Sequence, residues 1–441
     1  RLPKSCWRSG SRPPDAGRTM NRLLRNIGWL LTGRGLNALL SLVYLALATR
    51  TLGLDNFGYF AIILALGQTV TGIANFQTWQ FVVRWGADGD GPADATGFAI
   101  ALDLLSIALG LVLAAVLVGT APLWLPLPDE LLPVAFGYCV VSLLAIRTTP
   151  TGLLRLRFAY ARTTAAEAVQ PVVRAAGAAA AAIAMPTVTG FILAWAAAEV
   201  AVAAALWIAA GRLERINLSR ISLRHIPRAH PGAWRFVWST NLSGSLNVGS
   251  KQVLILLIGA IGGETAAGGY RVASQLGQAL VSLAQTVSKA IYPELVHAKE
   301  TAHAMARRMA NIALIAGVLA VLGTLFLGRP ALALIAGPEF RVFWTMVILA
   351  IAGAIELVGA SLESLLVSAG RAGTAFLIRA IPTVIGLSLL EVAMGWNGLK
   401  GAAFTVMGAS ALSVLGFWVA IISLSQITIT VKPKPEVPPE R

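Results

Sequence analysis

The sequence is short of charge and nearly empty of cysteine and histidine: charged residues are 12% of the chain, with 2 cysteines and 4 histidines in 441 residues. Two cysteines cannot build a disulfide framework, and Cys139 lies in an apolar stretch, where it reads as a small packing residue. His225, His230, His297 and His303 fall in polar connections without metal-ligand spacing, so neither a metal centre nor a cofactor is expected. A Walker loop and a dinucleotide-binding glycine fingerprint are also missing, and no catalytic residue emerges, so the chain does not read as an enzyme. What is present is apolar. Hydrophobic residues make up 56% and mean hydropathy is +0.73, the composition of a polytopic membrane protein.

The formal charge of +15 would point to nucleic acid in a soluble domain. Here the basic residues collect in short connections between apolar spans, so the charge reads as topology and no nucleic-acid partner is expected. Counting spans of roughly 20 residues gives about twelve, centred near Asn37, Val70, Gly110, Tyr138, Ala176, Ala198, Val248, Ala279, Val318, Ile355, Ile385 and Leu412. One set of loops holds Arg22, Arg25, Arg84, the group from Arg147 to Arg162, the group from Arg212 to Arg228, then Lys299, Arg307, Arg308, Arg371, Lys432 and Lys434. The alternate set holds only Arg50, Arg329, Arg341 and Lys400. By the positive-inside rule both termini and the middle loop are cytoplasmic.

This divides the chain into an extension at 1–19, a first bundle at 20–211, a basic linker at 212–232, a second bundle at 233–425 and a tail at 426–441. The extension precedes the first methionine, Met20, and is rich in Pro, Gly, Ser and Arg, so it is expected to be disordered or untranslated. The linker is expected to fix topology and to touch anionic headgroups.

Two spans carry a polar stripe. From Tyr270 to Pro293, Arg271, Gln275, Gln278, Ser282, Gln285 and Lys289 recur at alternating gaps of four and three, which draws one continuous face on a helix. A cation deep in hydrocarbon costs roughly 2.5–3.5 kcal/mol, so that face requires a watery cavity or a partner. Gln68, Gly72, Asn75 and Trp79 form a similar stripe in the apolar run from Phe57 to Val83, and adding 210 to each gives Gln278, Ser282, Gln285 and Lys289. Leu66-Gly67-Gln68 recurs as Leu276-Gly277-Gln278 at that offset, and Gly53-Leu54-Asp55 matches Gly262-Gly263-Glu264 one residue out of step. Two repeated halves, each giving a polar helix face, suit a transporter whose site opens alternately to either side.

Charge inside the spans is the second signal. Arg34, Lys251, Glu356 and Glu363 are deep enough to favour a cavity, whereas Arg174, Lys289 and Asp103 are near enough to span ends to reach water. Glu356 and Glu363 are seven apart and share a helix face. Without a cation such carboxyls could couple transport to protons; an ion pair with Arg379 would instead hold them charged, and the sequence leaves both open.

The run ATRTLGLDNFGYF at 48–60, with Leu52, Gly53, Phe57, Gly58 and Tyr59 between a first span and a polar-faced second one, resembles the polysaccharide (O-antigen and exopolysaccharide) flippase family of bacterial inner membranes. The phrase LLVSAGRAG at Leu365–Gly373 is similar to that family too, and the resemblance runs from Met20 to Gln426. It implies the multidrug/oligosaccharidyl-lipid/polysaccharide exporter fold: all-α, two six-helix bundles around a central cavity. It further implies a flippase that moves undecaprenyl-pyrophosphate-linked oligosaccharide across the inner membrane, among membrane lipids and beside a polysaccharide polymerase and a chain-length regulator. The diphosphate would meet Arg34, Lys251, Arg271 and Lys289, and the sugars Gln68, Asn75, Gln275, Gln278 and Gln285, with Trp79 as a flat apolar face. Glu356 and Glu363 are the expected ion-coupling residues. An ion-coupled multidrug exporter of the same superfamily and a non-transporting scaffold of a polysaccharide-assembly complex are the alternatives.

Overall fold

The computed structural model describes the backbone of residues 16–87, 91–214, 216–296, 302–368 and 371–430. Side chains are described over a narrower set that begins at Leu39, omits 282–310 and some shorter stretches, and ends at 423. The described chain is all-helical. The first half holds α1 (Ala16–Ala74), α2 (Trp79–Gly86), α3 (Gly91–Thr120), α4 (Leu132–Leu144), α5 (Thr148–Leu156), α6 (Tyr160–Glu167), α7 (Val169–Ala184) and α8 (Val188–Gly211). After a short α9 (His225–Ala229) come α10 (Ala233–Val296), α11 (Ala302–Ile335), α12 (Phe343–Ser368), α13 (Ala372–Ser388), α14 (Leu390–Asn397) and α15 (Leu399–Thr430).

Helices α1 and α10 are each broken at one glycine, Gly53 (φ 72°, ψ −177°) and Gly263 (φ 81°, ψ 178°). That backbone conformation is open essentially to glycine alone, because a Cβ would clash with the chain itself. The two glycines are 210 apart, so the equivalence runs Gly53 to Gly263 in step with the rest of the repeat, and the out-of-step match to Gly262 is corrected. Conformation, not the neighbouring letters, decides which glycine is the counterpart.

The halves meet at this turn end around a pseudo-two-fold axis. Thr265 Oγ1 donates to Asp55 Oδ1 at 2.7 Å across a separation of 210 residues, and equivalent positions can touch only near such an axis. Gly58 and Gly268 form a second equivalent pair. A Cβ on Gly58 would overlap the Glu264 carbonyl, and one on Gly268 would lie 3.0 Å from the Gly58 Cα. Nearby, Thr49 Oγ1 donates to the Ile335 carbonyl at 3.0 Å and Arg50 Nη2 to that of Leu334 at 2.5 Å, using acceptors that the end of α11 leaves free. The largest buried cluster, including Phe57, Phe60, Ile63, Ile255, Tyr270 and Phe340, draws on both halves. The seam between the halves is therefore closed at the turn end, with a cavity of about 580 Å³ beside it that Glu339, Arg341 and Glu391 line.

Helices α3, α4, α7 and α8 pack on α1, whereas α11, α12, α13, α14 and α15 pack on α10. All twelve expected span centres fall within helices. By length and apolarity, eight described helices could cross a membrane, or nine if the pair Gly373–Ser388 and Leu390–Asn397, bent by 51°, is one span. The count is lower than the centres because α1 carries two of them in one broken helix, as does α10, and because Val169–Ala184 has 16 residues.

The linker is docked on the first half. Ile226, Ala233 and Val237 are buried in one cluster with Phe76, Phe81, Trp85 and Phe98. Arg220 and His225 lie 3.4 and 3.8 Å from Asp94 at the start of α3, and a Cβ on Gly97 would overlap the Arg220 carbonyl. Gly97→Leu is expected to undock this segment, and limited proteolysis of the purified protein should then cut between 212 and 232 several times faster than in the parent.

Candidate functional site

Two breaks in the first-half helices create the site. The helix ends at Ala74, Asn75 Oδ1 accepts from the Gln77 backbone N–H at 2.7 Å, Gln77 takes φ 54°, and α2 restarts at Trp79. An Asn side chain offers the backbone this local partner in place of the helical one. A second break lies between Leu144 and Thr148, within the apolar span Asp129–Leu156. Trp207 Nε1 donates to the freed Ile146 carbonyl at 3.0 Å, and Pro150, which has no N–H to leave unpaired, sits in the first turn of α5. Irregular backbone at membrane depth is tolerated where it lines a cavity, and interrupted helices mark transport sites.

Between the breaks lies a cavity of about 480 Å³ with Gln68, Asn75, Asp103, Arg147, Arg174 and Glu199 on its wall. Glu199, 4% exposed, is its anchor. Arg147 Nη2 and Arg174 Nη2 pair with its two oxygens at 2.8 and 2.6 Å, and Gln170 Nε2 donates to Oε1 at 2.9 Å. Gln170 and Arg174 are four apart on α7, which puts both on one face. The buried Nε of Arg174 has no hydrogen-bond partner in the protein.

The second half touches Tyr44, which lines a further cavity with Arg147, Gln170 and Arg174. Gln275 Nε2 donates to Tyr44 OH at 3.2 Å across the two halves, and Arg271 Nη1 donates to Gln252 Oε1 at 3.2 Å. Two guanidiniums, from α5's start and α7, thus share the cavity wall, and Arg271 of α10 is bonded to Gln252 in the other half.

A separate cavity of about 120 Å³ in the second half holds Lys251, Glu356, Glu363 and Arg379. Arg379 Nη1 pairs with Glu363 at 2.6 Å and Nη2 with Glu356 at 2.8 Å, while Lys251 Nζ is 3.6 Å from Glu356. Of the two possibilities the sequence left open for this pair, the geometry is that of the ion-paired one.

Gln68 and Asn75 therefore stand on the first cavity, Gln275 is bonded to Tyr44 and Arg271 to Gln252, and Gln278 is exposed. Trp79 departs from its stripe: the break rotates it out, under the Arg155 guanidinium at 4.3 Å from its ring, with Nε1 donating to Gln77 Oε1 at 3.3 Å. Arg34, Gln285 and Lys289 lie outside the residues whose side chains are described. Arg147, Arg174 and Glu199 were not chosen as site residues from sequence. Arg147 was counted with the loops but sits in a broken span, and Arg174, 17% exposed, does not snorkel to an interface. A lone Glu in the middle of α8 was the available signal, because such a carboxylate has to find cations nearby.

The family described as "Polysaccharide biosynthesis protein" matches residues 23–299. The chain belongs to that family. A curated relative, the inner membrane protein YghQ of Escherichia coli (strain K12), is 28% identical over 342 residues, which cover 72% of this chain and 93% of YghQ. Among solved structures, the chain is similar to the lipid II flippase MurJ in an inward closed conformation, with TM-score 0.73, 12% identity and coverage of 92% of this chain and 93% of that one. It is also similar to an inward-facing multidrug resistance MATE family transporter of the MOP superfamily, with TM-score 0.68, 15% identity and coverage of 89% and 96%. At these identities the likeness shows the fold, which is the all-helical exporter fold that the family resemblance implied. Within the family, what remains to be read from the site is the cargo.

Proposed function

We propose that the chain is a flippase for undecaprenyl-pyrophosphate-linked oligosaccharide in the bacterial inner membrane, moving it from the cytoplasmic to the periplasmic leaflet for surface polysaccharide assembly. The observation that carries this is the pair Arg147 and Arg174 on one cavity wall, beside the carboxyls of Glu199 and Asp103 and with the Arg174 Nε left without a protein partner; Arg271, on the facing helix of the other half, is the third guanidinium the reading draws on. Guanidiniums present forked donors that match phosphate oxygens, and the open Nε of Arg174 is such a donor. Gln68, Asn75, Gln170 and Gln275 supply the amides that sugars hydrogen-bond to. A multidrug exporter for cationic drugs would place carboxylates in excess instead.

In this reading the bundles 20–211 and 233–425 rock about the closed turn end, which faces the periplasm, and both termini are cytoplasmic. The membrane lipids, the polymerase and the chain-length regulator are its surroundings. Glu356 and Glu363, each held by Arg379, brace α12 against α13, and ion coupling through them would require Arg379 to release one of them.

The test is flipping of a fluorescent lipid-linked sugar by the full chain in proteoliposomes. A lost charged hydrogen bond is worth about 1.5–3 kcal/mol, so Arg271→Ala should slow transfer by about tenfold or more. Arg271→Lys should restore part of the rate, because charge dominates over geometry in phosphate attraction. Equal loss in both variants, with equal amounts of folded protein, counts against a phosphate cargo. In the same vesicles Glu356→Gln and Glu363→Gln are expected to respond to an imposed pH gradient as the parent does, and loss of that response would return ion coupling to this pair.

A further inference from the structure

The cavity wall holds a buried carboxyl that the cargo reading leaves without a task. Of the two buried carboxyls, Glu199 is gripped by two guanidiniums, while Asp103, 5% exposed, is gripped by hydroxyls alone. Thr78 and Thr148 donate to its Oδ1 at 2.9 and 3.1 Å, and Thr149 donates to Oδ2 at 2.5 Å. Thr78 comes from the first helix break and the other two from the helix restarted after the second, so both breaks serve this one group.

The hydroxyls are arranged to satisfy either protonation state. The oxygens of Thr78 and Thr149 lie 3.1 Å apart, and either can donate to the other. In the charged state three hydroxyls donate into the carboxylate. When a proton adds to Oδ2, the new O–H donates to Thr149 Oγ1, Thr149 turns its hydrogen to Thr78 Oγ1, and Thr78 and Thr148 go on donating to Oδ1. One proton enters, no hydrogen bond is left open, and no cation is needed to hold either form. A metal ion, by contrast, would have to part hydroxyls and carboxylate oxygens that already touch.

The ionisable groups that face Asp103 are those of the cavity: Arg147 at the start of α5, Tyr138 on α4, Arg174 on α7 and Glu199 on α8. The α1–α2 break contributes only the Thr78 hydroxyl, and the linker's Arg220 and His225 are spent on Asp94 at the far end of α3.

We propose that Asp103 and its three threonines form a proton-binding site on the cargo cavity, taking up a proton as an anionic diphosphate headgroup loads and giving it up as the cavity empties. A proton there leaves two guanidiniums facing one carboxylate, so cargo and proton favour each other's binding, and by linkage each must raise the affinity for the other. That linkage rests on the flippase reading; the proton site rests on the hydroxyl ring.

Infrared difference spectra of the full chain in nanodiscs, titrated from neutral to acid, test the site without any cargo. A carboxylic C=O band should grow as pH falls, persist in Glu199→Gln, and be lost in Asp103→Asn. Thr149→Val keeps the carboxyl and opens the ring, so its band should remain with a displaced midpoint. A titrating band equal in parent and Asp103→Asn overturns the site, and so does a band erased by sodium chloride at fixed pH, which would mark a sodium site. Farnesyl diphosphate then tests the linkage in weakly buffered solution with a pH indicator. The parent should take up about one proton per diphosphate bound, and Asp103→Asn should bind without uptake. Binding without uptake by the parent overturns the linkage. No binding by the parent refutes the cargo reading and the linkage together, with the infrared band alone deciding the proton site.

Discussion

Arg174→Ala is expected to abolish lipid-linked sugar transfer and to destabilise the folded protein by about 3 kcal/mol, the lower end of what removing one partner of a buried pair costs. Glu199 is 4% exposed, and losing Arg174 leaves it only Arg147, whose own side chain is 41% exposed, and the Gln170 amide. The cost comes mostly from the carboxylate left behind, so it should vanish when that charge is removed as well. The double variant Arg174→Ala with Glu199→Gln should recover most of the thermal stability and none of the transfer, because the guanidinium that meets the cargo is still missing. Melting of the purified protein and transfer in proteoliposomes separate the two effects. A double variant that transfers at the parent rate would remove Arg174 from the cargo site, and an Arg174→Ala single variant as stable as the parent would mean that the Glu199 pair is not buried in the working protein.

What could be read from the letters was whatever repeats along a helix. The offset of 210 was visible in Leu66-Gly67-Gln68 and Leu276-Gly277-Gln278 because periodic polar residues in an apolar run stand out. The register at the turn was not, because Gly262 and Gly263 are adjacent and only the backbone shows which one takes the positive φ. Breaks inside apolar runs were also hidden. The stretch 57–83 keeps its polar period through Asn75, so Trp79 was assigned to a face from which Asn75's own capping bond to Gln77 removes it. At 145–150 the sequence Ala-Ile-Arg-Thr-Thr-Pro reads as a span giving way to a loop, which put Arg147 outside the membrane and left Glu199 without its partner. The guanidinium site is therefore a tertiary fact: Arg147 and Arg174 come from different helices, and neither belongs to a sequence pattern that points inward. The second stripe is partly beyond the described side chains: of the residues matched at the offset of 210 only Gln278, the counterpart of Gln68, has a described side chain, and it is exposed.

Gly58→Val should prise the turn end open and stop transport while leaving each bundle folded. Gly58 lies against the Glu264 carbonyl and within 3.0 Å of the position a Cβ would occupy on Gly268, so the obstacle a larger side chain meets is backbone, which cannot rotate aside. Overpacking a tight contact costs about 1–3 kcal/mol. Here that cost falls only on the conformation in which the seam is closed, because a state open at this end separates Gly58 from Glu264. A penalty confined to one state shifts the population away from it by roughly tenfold for each 1.4 kcal/mol. A single cysteine in place of Ala267, which is fully buried beside Gly268, in a background with Cys6 and Cys139 replaced by serine, reports on the seam through its rate of maleimide labelling. That rate should be low in the Gly58 protein and rise by about tenfold with Gly58→Val, in step with the loss of transfer. Gly119→Val serves as the control, since a Cβ there meets no atom within 4 Å, and it should change neither labelling nor transfer. If Gly58→Val labels at the parent rate in folded protein, the glycine seam is not what closes the turn end, and the gate must be sought in the neighbouring contact of Thr49 and Arg50 with the end of α11.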